Sequence, residues 1–405
     1  MNIVQEACRD FAQRRDSKAN PRYLFVQPRQ AHAYLGLGCH QTITYRGGEL
    51  EINRGGNCQR IACGNEVFAH IRHWLARELP SFWMLSPDIN RATQDPDLPL
   101  ILCVQPVSER KIECTATADP TPLPLPVAEG WQTEEDEAFL ERLRSGITRL
   151  QDYLEGKMIL TRPYQRPVGS RDPLRLFSLF GGSELAAAGS HYLQIDDRTV
   201  SLGCSPENVF EVIGGRLAFD VVAGTRGIAA DPAKDALWLQ ALQSDPKEQR
   251  EHLMALARYR KYIESLCTPG TVSEEYRLRV LQLGNVRHLY SRLSGQLDGQ
   301  RDWLDLLAAS MPALTSYPDE LQTYADDQLA PLRYYGGIVG RVSPGANEAR
   351  FYLNLRAALC KGDTLYTQGG VGVIAQSEAA KELLEVKNKL RGLFKAVNLW
   401  ESEDH

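Results

Sequence analysis

The chain has 405 residues, 43% hydrophobic and 24% charged, with 46 Lys and Arg against 51 Asp and Glu for a formal net charge of −5. That length supports a large buried core, as about two or three domain-sized units or one large one. A near-balanced charge spread without long runs gives no electrostatic case for nucleic acid or an anionic membrane as partner.

The first stretch, MNIVQEACRDFAQRRD, mixes charged and apolar residues at helical spacing and has no signal-peptide apolar core. No run of about 18 apolar residues follows, so no span of a bilayer is predicted. The nine cysteines are odd in number, scattered and without CxxC spacing. That pattern suits reduced thiols in a cytoplasm better than a disulfide framework or a zinc site. Residues 1–115 then read as alternating strands and helices around RYLFVQP, AHAYLGLG, the helix EVFAHIRHWLAREL and the apolar strand LPLILCVQPV. Thr115–Gly130, rich in Pro and small residues, reads as a linker or a long surface connection.

A helix is predicted over Glu134–Glu155 from the spacing of Phe139, Leu143, Ile147, Leu150 and Leu154. After it KMILTR reads as a strand opening on Lys157. A lysine at a strand edge is commonly a solvated gatekeeper; buried among apolar neighbours, it would give up its proton more readily and serve as a base. The block that follows is strand-rich: HYLQI, TVSLGCSPENVFEVIGG and RLAFDVVAGTRG, with Gly214 and Gly215 as a hairpin turn. Glu207 sits between strands in Ser205-Pro206-Glu207, as a turn residue bonding backbone or as a site carboxylate. Gly224-Thr225-Arg226 reads as a small-residue turn at a strand end, suited to offering backbone N–H groups to an anion.

Asp245 and Pro246 mark a helix start, and Glu248 and Glu251 lie one turn apart on one face of that helix. Glu382 and Glu385 repeat the arrangement on a later helix. Two such faces, brought together, make a set of hard oxygen donors suited to Mg²⁺. The alternative is local: Glu248 is also placed for a capping box, and Glu385 and Lys389 are spaced as a surface ion pair. His288 lies in a strand-like apolar run, where a satisfied core histidine is the competing reading. In the last quarter RYYGGIVGRV, ARFYLNLRAALC and TLYTQGGVGVIAQ read as three strands. Arg356 interrupts the second of these, which is costly unless it is paired or faces a ligand. Gly369, Gly370 and Gly372 precede a helix capped by Ser377, where backbone can approach an anion closely.

The ordered succession KMILTR at Lys157, SPE at Ser205, AGTR at Ala223, KEQREH at Lys247, VRHL at Val286, YGG at Tyr335, LRAA at Leu355, GGVG at Gly369 and Ser377 with Glu382, Glu385 and Lys389 resembles the chorismate-utilising enzymes. That family includes isochorismate, salicylate, anthranilate and aminodeoxychorismate synthases. The resemblance runs from about Trp131 to Val397. It implies an α+β fold in which two large antiparallel sheets pack as a sandwich with helices outside, residues 1–130 being an integrated sheet-and-helix portion and 131–400 the chorismate-binding catalytic portion. By position it implies Mg²⁺ held by Glu251, Glu382 and Glu385 with Glu248 beside them, and Glu207 as the acid that protonates the departing C4 hydroxyl. It further implies Tyr335, Arg356 and the amides of a Gly369–Gly372 loop on the pyruvyl carboxylate, and Lys389 as a further substrate-binding residue. Gly224 and Thr225 then lie at the ring carboxylate and His288 near C4.

Lys157 matches members that add water at C2, so a water nucleophile is expected and no glutaminase subunit to supply ammonia. Pro312-Ala313-Leu314-Thr315 resembles the salicylate synthases, with Thr315 holding the enolpyruvyl ether. The expected reaction is therefore Mg²⁺-dependent conversion of chorismate through isochorismate to salicylate and pyruvate, feeding a siderophore or related aromatic metabolite. Release of isochorismate, amination, and chorismate binding without catalysis are the alternatives, in a monomer or homodimer. The chain departs from the family pattern at Ser316-Tyr317-Pro318, at Leu329 and at Val386, all around the ring pocket.

Overall fold

The computed structural model describes residues 1–14, 21–114, 120, 123, 130–229, 231–283, 286–318, 320–322 and 330–403, with the side chains of residues 65, 247, 251 and 283 excepted. Leu329, the Glu251 side chain and nearly all of the Thr115–Gly130 connection lie outside the described residues.

Local sequence sets the element ends. Helix α1 (Ile3–Gln13) starts at Asn2, whose side chain accepts from the Gln5 amide while the Gln5 side chain accepts from the Asn2 amide. Its Ile3, Val4, Ala7, Cys8 and Phe11 form the buried stripe. Helix α4 (Pro173–Ser183) begins with Asp172 as cap and Pro173 in the first turn. The strands β12 (Asn208–Ile213) and β13 (Arg216–Gly227) meet through Gly214 and Gly215, at φ 56° and 78°. Only such positive φ values close a two-residue hairpin that matches the strand twist.

One sheet has eight strands, in the order Ser108–Glu113 (β8), His32–Leu37 (β2), Arg22–Gln27 (β1), Gly189–Gln194 (β10), Thr199–Ser205 (β11), Ala357–Lys361 (β18), Thr364–Val373 (β19) and Met158–Pro167 (β9). The other has eleven: Ser273–Leu283 (β14), Val286–Gln296 (β15), β13, β12, Glu348–Leu353 (β17), Ile338–Val342 (β16), Ser81–Leu85 (β6), Ile101–Gln105 (β7), Gln41–Arg46 (β3), Glu49–Arg54 (β4) and Asn57–Ala62 (β5). All pairings between these strands are antiparallel. Strands from the first third of the chain thus enter both sheets.

Three apolar clusters order the layers. Tyr23, Phe25 and Leu359 of the smaller sheet meet Phe82, Val339 and Tyr352 of the larger one between the sheets. On the outer side of the smaller sheet, α1, α4 and α8 (Ala379–Ser402) cover Leu24, Val200 and Leu365. On the outer side of the larger sheet, α6 (Pro246–Glu264) and α7 (Trp303–Ala309) cover Phe219, Leu293 and Phe351. The result is the expected α+β sandwich with helices outside. Among the described residues no helix is long and apolar enough to cross a membrane.

Four local expectations are corrected. The helix read over Glu134–Glu155 is α3, Asp136–Leu150, and Leu154 beyond it is exposed. ARFYLNLRAALC is two strands, β17 and β18, in different sheets, so Arg356 lies at a crossing between sheets and not within a strand. The glycines Gly369, Gly370 and Gly372 form the end of β19 and not a loop. Ser377 does not cap α8: Glu378 is the residue before its first turn, and the Ser377 hydroxyl instead accepts from the Ile374 amide at 3.2 Å.

Candidate active site

The chain crosses between the sheets twice at neighbouring places, after β11 and after β17. Ser205 ties the crossings together, its hydroxyl meeting the Leu353 carbonyl at 2.5 Å and the Glu207 carbonyl at 3.0 Å. The Leu353 amide donates to the Glu207 carbonyl at 3.3 Å. These crossings carry Glu207 and Arg356.

Glu207 is partly buried, and removal from water pushes its carboxyl up to about 7. The Lys157 and Lys389 ammoniums pull it down, Asp220 pushes it up and Arg356 again lowers it, so all four stand within electrostatic reach. A carboxyl half-protonated near neutral pH is matched to proton donation.

The AGTR stretch is not a turn at a strand end. It lies inside β13, where the pairing with β15 slips between Ala223 and Thr225 and Gly224 takes φ 78°, a β-bulge whose left-handed residue suits glycine. A Cβ on Gly224 would stand 3.1 Å from Glu248 Oε2, so α6 lays Glu248 directly over the bulge. His252, fully buried, pins that helix: Nδ1 donates to the Ala223 carbonyl at 3.1 Å and Nε2 accepts from Ser291 Oγ at 2.7 Å. Burial lowers its pKa. Sequence reading passed over His252 because one more helical histidine beside a glutamate pair carries no spacing signal.

Thr225 pairs with His288 across the bulge, Oγ1 to Nδ1 at 2.9 Å. Burial, reinforced by Arg356 and Lys389, pushes the His288 imidazole down to about 3, so it is neutral. Its Nε2 is buried without a partner among the described residues. His288 is therefore only half of the satisfied core histidine that its apolar strand suggests.

Strand β18 pairs with β19 only as far as Thr367, while β9 pairs on to Val373. Among the described residues no strand pairs with the other edge of β19 along Gly369–Gly372, so its backbone groups face side chains there and not a ladder. Lys389 Nζ donates to the Gly370 carbonyl at 3.1 Å. A Cβ on Gly370 would stand 2.9 Å from the Tyr335 hydroxyl, and one on Gly372 would stand 2.3 Å from Lys157 Cε and 3.2 Å from its Nζ. These glycines leave room for Tyr335 and Lys157 to lie against the strand. The Tyr335 hydroxyl also bonds the Gly370 backbone, although burial raises its pKa.

Of the two readings left open for Lys157, the solvated one holds, since the residue is exposed; what places it is the Gly372 cradle and the backbone bridge to Tyr317 at 2.9 and 2.7 Å. Thr315 is exposed too. Its segment is anchored by its neighbours, Ser316 Oγ accepting from the Ile159 amide at 3.0 Å and Leu314 lying against Gly336.

The carboxylates flank this cluster from two helices. Glu248 stands over Gly224, and Glu385 is ion-paired with Lys389 at 2.7 Å on α8, the pairing that spacing alone suggested. Glu382 lies one turn before it, partly buried. Among the described residues no three carboxylate, histidine or cysteine side chains are gathered within ligating reach of one another. The donor chemistry fits a hard dication: Glu248 borders Gly224 from α6, and Glu382 and Glu385 stand on the helix whose Lys389 meets Gly370.

The structure thus brings together Glu207, Lys157, Arg356, His288, Thr225, Gly224, Glu248, Tyr335, Gly370, Gly372 and Lys389. Thr315 enters through its chain neighbour Tyr317, which pairs with Lys157. Glu184, 3.4 Å from Arg356, was missed; its one signal was an acidic residue set among small apolar residues in GGSELAAAG.

The family profile described as chorismate binding enzyme matches residues 91–395. Anthranilate synthase component 1 of Spirochaeta aurantia is 33% identical over 199 residues, 48% of this chain and 41% of that protein. The protein of the same name from Mycolicibacterium smegmatis is 34% identical over 200 residues, 48% of this chain and 38% of that one. The matched stretch therefore spans about two-fifths of these relatives' length. Among solved structures, anthranilate synthase component I from Streptococcus pneumoniae superposes with TM-score 0.74 at 16% identity, over 90% of this chain and 92% of that one. The menaquinone-specific isochorismate synthase from Escherichia coli gives TM-score 0.71 at 16% identity, over 98% and 91%.

Proposed function

This chain belongs to the chorismate binding enzyme family, and from that premise we propose that it converts chorismate to isochorismate with water as the nucleophile. The observation that carries the reading is the Glu207 carboxyl, pushed up to about 7 by removal from water, within electrostatic reach of Lys157. Lys157 takes the proton of a water attacking C2. Glu207 gives its proton to the C4 hydroxyl, which leaves as water while the ring double bond shifts. One water enters and one departs, so the product is an isomer.

Arg356, Tyr335 and the Gly369–Gly372 edge of β19 hold the enolpyruvyl carboxylate, with Lys389 beside them, and Thr225 with His288 borders the ring. Mg²⁺ is the cofactor of this reading, with Glu248, Glu251, Glu382 and Glu385 as its donors; bound there, it supplies charge neutralisation at the ring carboxylate.

A second reading continues the reaction: C2–H passes to the enolpyruvyl methylene, the C3–O bond breaks, and salicylate and pyruvate result. It is supported by the resemblance of Pro312–Thr315 to the salicylate synthases and by the pairing of Tyr317, two residues after Thr315, with Lys157. Incubation with chorismate and Mg²⁺ in ¹⁸O-water containing ¹⁵N-ammonium tests both. One ¹⁸O in a product of otherwise unchanged composition supports the first reading, and salicylate with pyruvate the second. A ¹⁵N-labelled product overturns water as nucleophile and moves the chain to the activity that its anthranilate synthase relatives are named for.

A further inference from the structure

Glu184 follows the last residue of α4 and has no part in the proposed chemistry. Its side chain is only 10% exposed and faces Arg356, which is 11% exposed, at 3.4 Å between Oε2 and Nη1. The other oxygen faces α8, where a Cβ on Gly392 would stand 2.7 Å from Oε1. The carboxylate is thus wedged between a guanidinium and a glycine of the helix that also carries Lys389. Its contact with Arg356 is at the long limit of a hydrogen bond and takes one nitrogen of a five-donor fork. Among the described residues no other hydrogen-bond partner takes the fork, which leaves the rest of it for a second anion. Arg356 also acts on Glu207, Tyr335 and His288, so this guanidinium borders the proposed site.

We propose that Glu184 is a specificity-determining residue, a resident carboxylate on Arg356 that disfavours small monocarboxylates and reserves the guanidinium for a substrate whose second carboxylate is held elsewhere in the site. Two carboxylates on one guanidinium repel each other, and a ligand anchored at both ends withstands that repulsion better than one held only here. The inference rests on the reading above, in which Arg356 takes the enolpyruvyl carboxylate.

Pyruvate is the probe, and its affinity for the full chain is measured by calorimetry. Glu184→Gln keeps the shape and an acceptor for Arg356 while removing the charge, and is expected to tighten pyruvate about tenfold and to narrow the preference for chorismate over pyruvate. Gly392→Ala drives the carboxylate away from α8 toward Arg356 and is expected to weaken pyruvate. Unchanged or weaker pyruvate binding in Glu184→Gln overturns the inference. Should that variant not fold, Gly392→Ala decides alone, and equal or tighter binding there overturns it. Pyruvate binding needs no turnover: a protein showing these shifts but leaving chorismate intact refutes the proposed reaction and keeps the inference, whereas active variants with unaltered affinity refute the inference only.

Discussion

Replacing Glu207 by glutamine separates the acid from the fold. Its carboxyl is raised from 4.5 to about 7, so the folded protein holds this proton more tightly than the unfolded chain. The associated stability is fully present below about pH 4.5 and is lost as pH rises through about 7. A shift of that size corresponds to roughly 3 kcal/mol of preference for the neutral form. Glutamine stays neutral throughout, so the variant escapes this loss. Relative to wild type, its melting temperature is expected to rise by about 3 °C between pH 4 and pH 8, using the usual unfolding entropy per residue. The comparison uses the change with pH, which cancels any constant difference in hydrogen bonding. In the same pair, wild-type kcat/KM falls as pH passes about 7, and the variant loses about 10²–10⁴-fold activity together with that limb. Calorimetry at the two pH values and a pH–rate profile are sufficient. A stability difference that does not change with pH, or a variant that turns over with the wild-type limb, refutes the assignment of Glu207 as the buried acid.

Gly372→Ala would place a methyl 2.3 Å from Lys157 Cε and displace that flexible side chain; turnover is expected to fall at least about tenfold with little change in melting temperature, and an active variant would remove Lys157 from the chemistry. Chelation is expected to abolish turnover, and Glu382→Gln to raise the Mg²⁺ concentration for half-maximal rate while costing under about 0.5 kcal/mol in metal-free stability; equal loss of both would make the glutamate structural. Thr315→Ala is expected to leave folding unchanged, since the residue is exposed; in product analysis, isochorismate replacing salicylate would assign it to the elimination, and an unaltered product would exclude it.

The layers were legible because strand alternation and the buried stripes of α1, α3 and α8 obey simple periodicities. The helix start at Pro246 and the hairpin at Gly214–Gly215 carried their own local chemistry. What sequence misplaced were residues whose conformation depends on long-range pairing. Gly224-Thr225-Arg226 has the composition of a turn, yet the register against β15 makes it a bulge. The Gly369–Gly372 stretch has the composition of an anion-binding loop, yet β9 pairs along all of it. Arg356 seemed to sit inside a strand because Leu353 and Ala357 are both strand residues; that they belong to different sheets is a property of topology. For Lys157 the sequence left a solvated gatekeeper and a buried base both open; its neighbours Met158 and Leu160 are buried in the core while the lysine, just before β9, is exposed.

The crossings between sheets explain why the chemistry collects here. Within a ladder each residue's backbone is committed to its neighbours, and an inward charge meets the apolar layer of Tyr23, Phe82 and Tyr352. At a crossing both constraints lapse, so Glu207 and Arg356 can be half-buried without entering that layer. Arg356 takes φ 47° there, a conformation costing a non-glycine residue about 1–2 kcal/mol. The Cys204 amide donates to its carbonyl at 3.2 Å and helps hold it in place. Glu207 and Arg356 thereby depend on one clamp, made by Ser205, Leu353 and Cys204, whereas the carboxylates proposed to hold a metal stand on helices fixed separately by His252 and by the Lys389 bond to Gly370. Loss of a helix carboxylate leaves that clamp untouched, which is why metal affinity and folding stability are expected to respond to different substitutions in this chain.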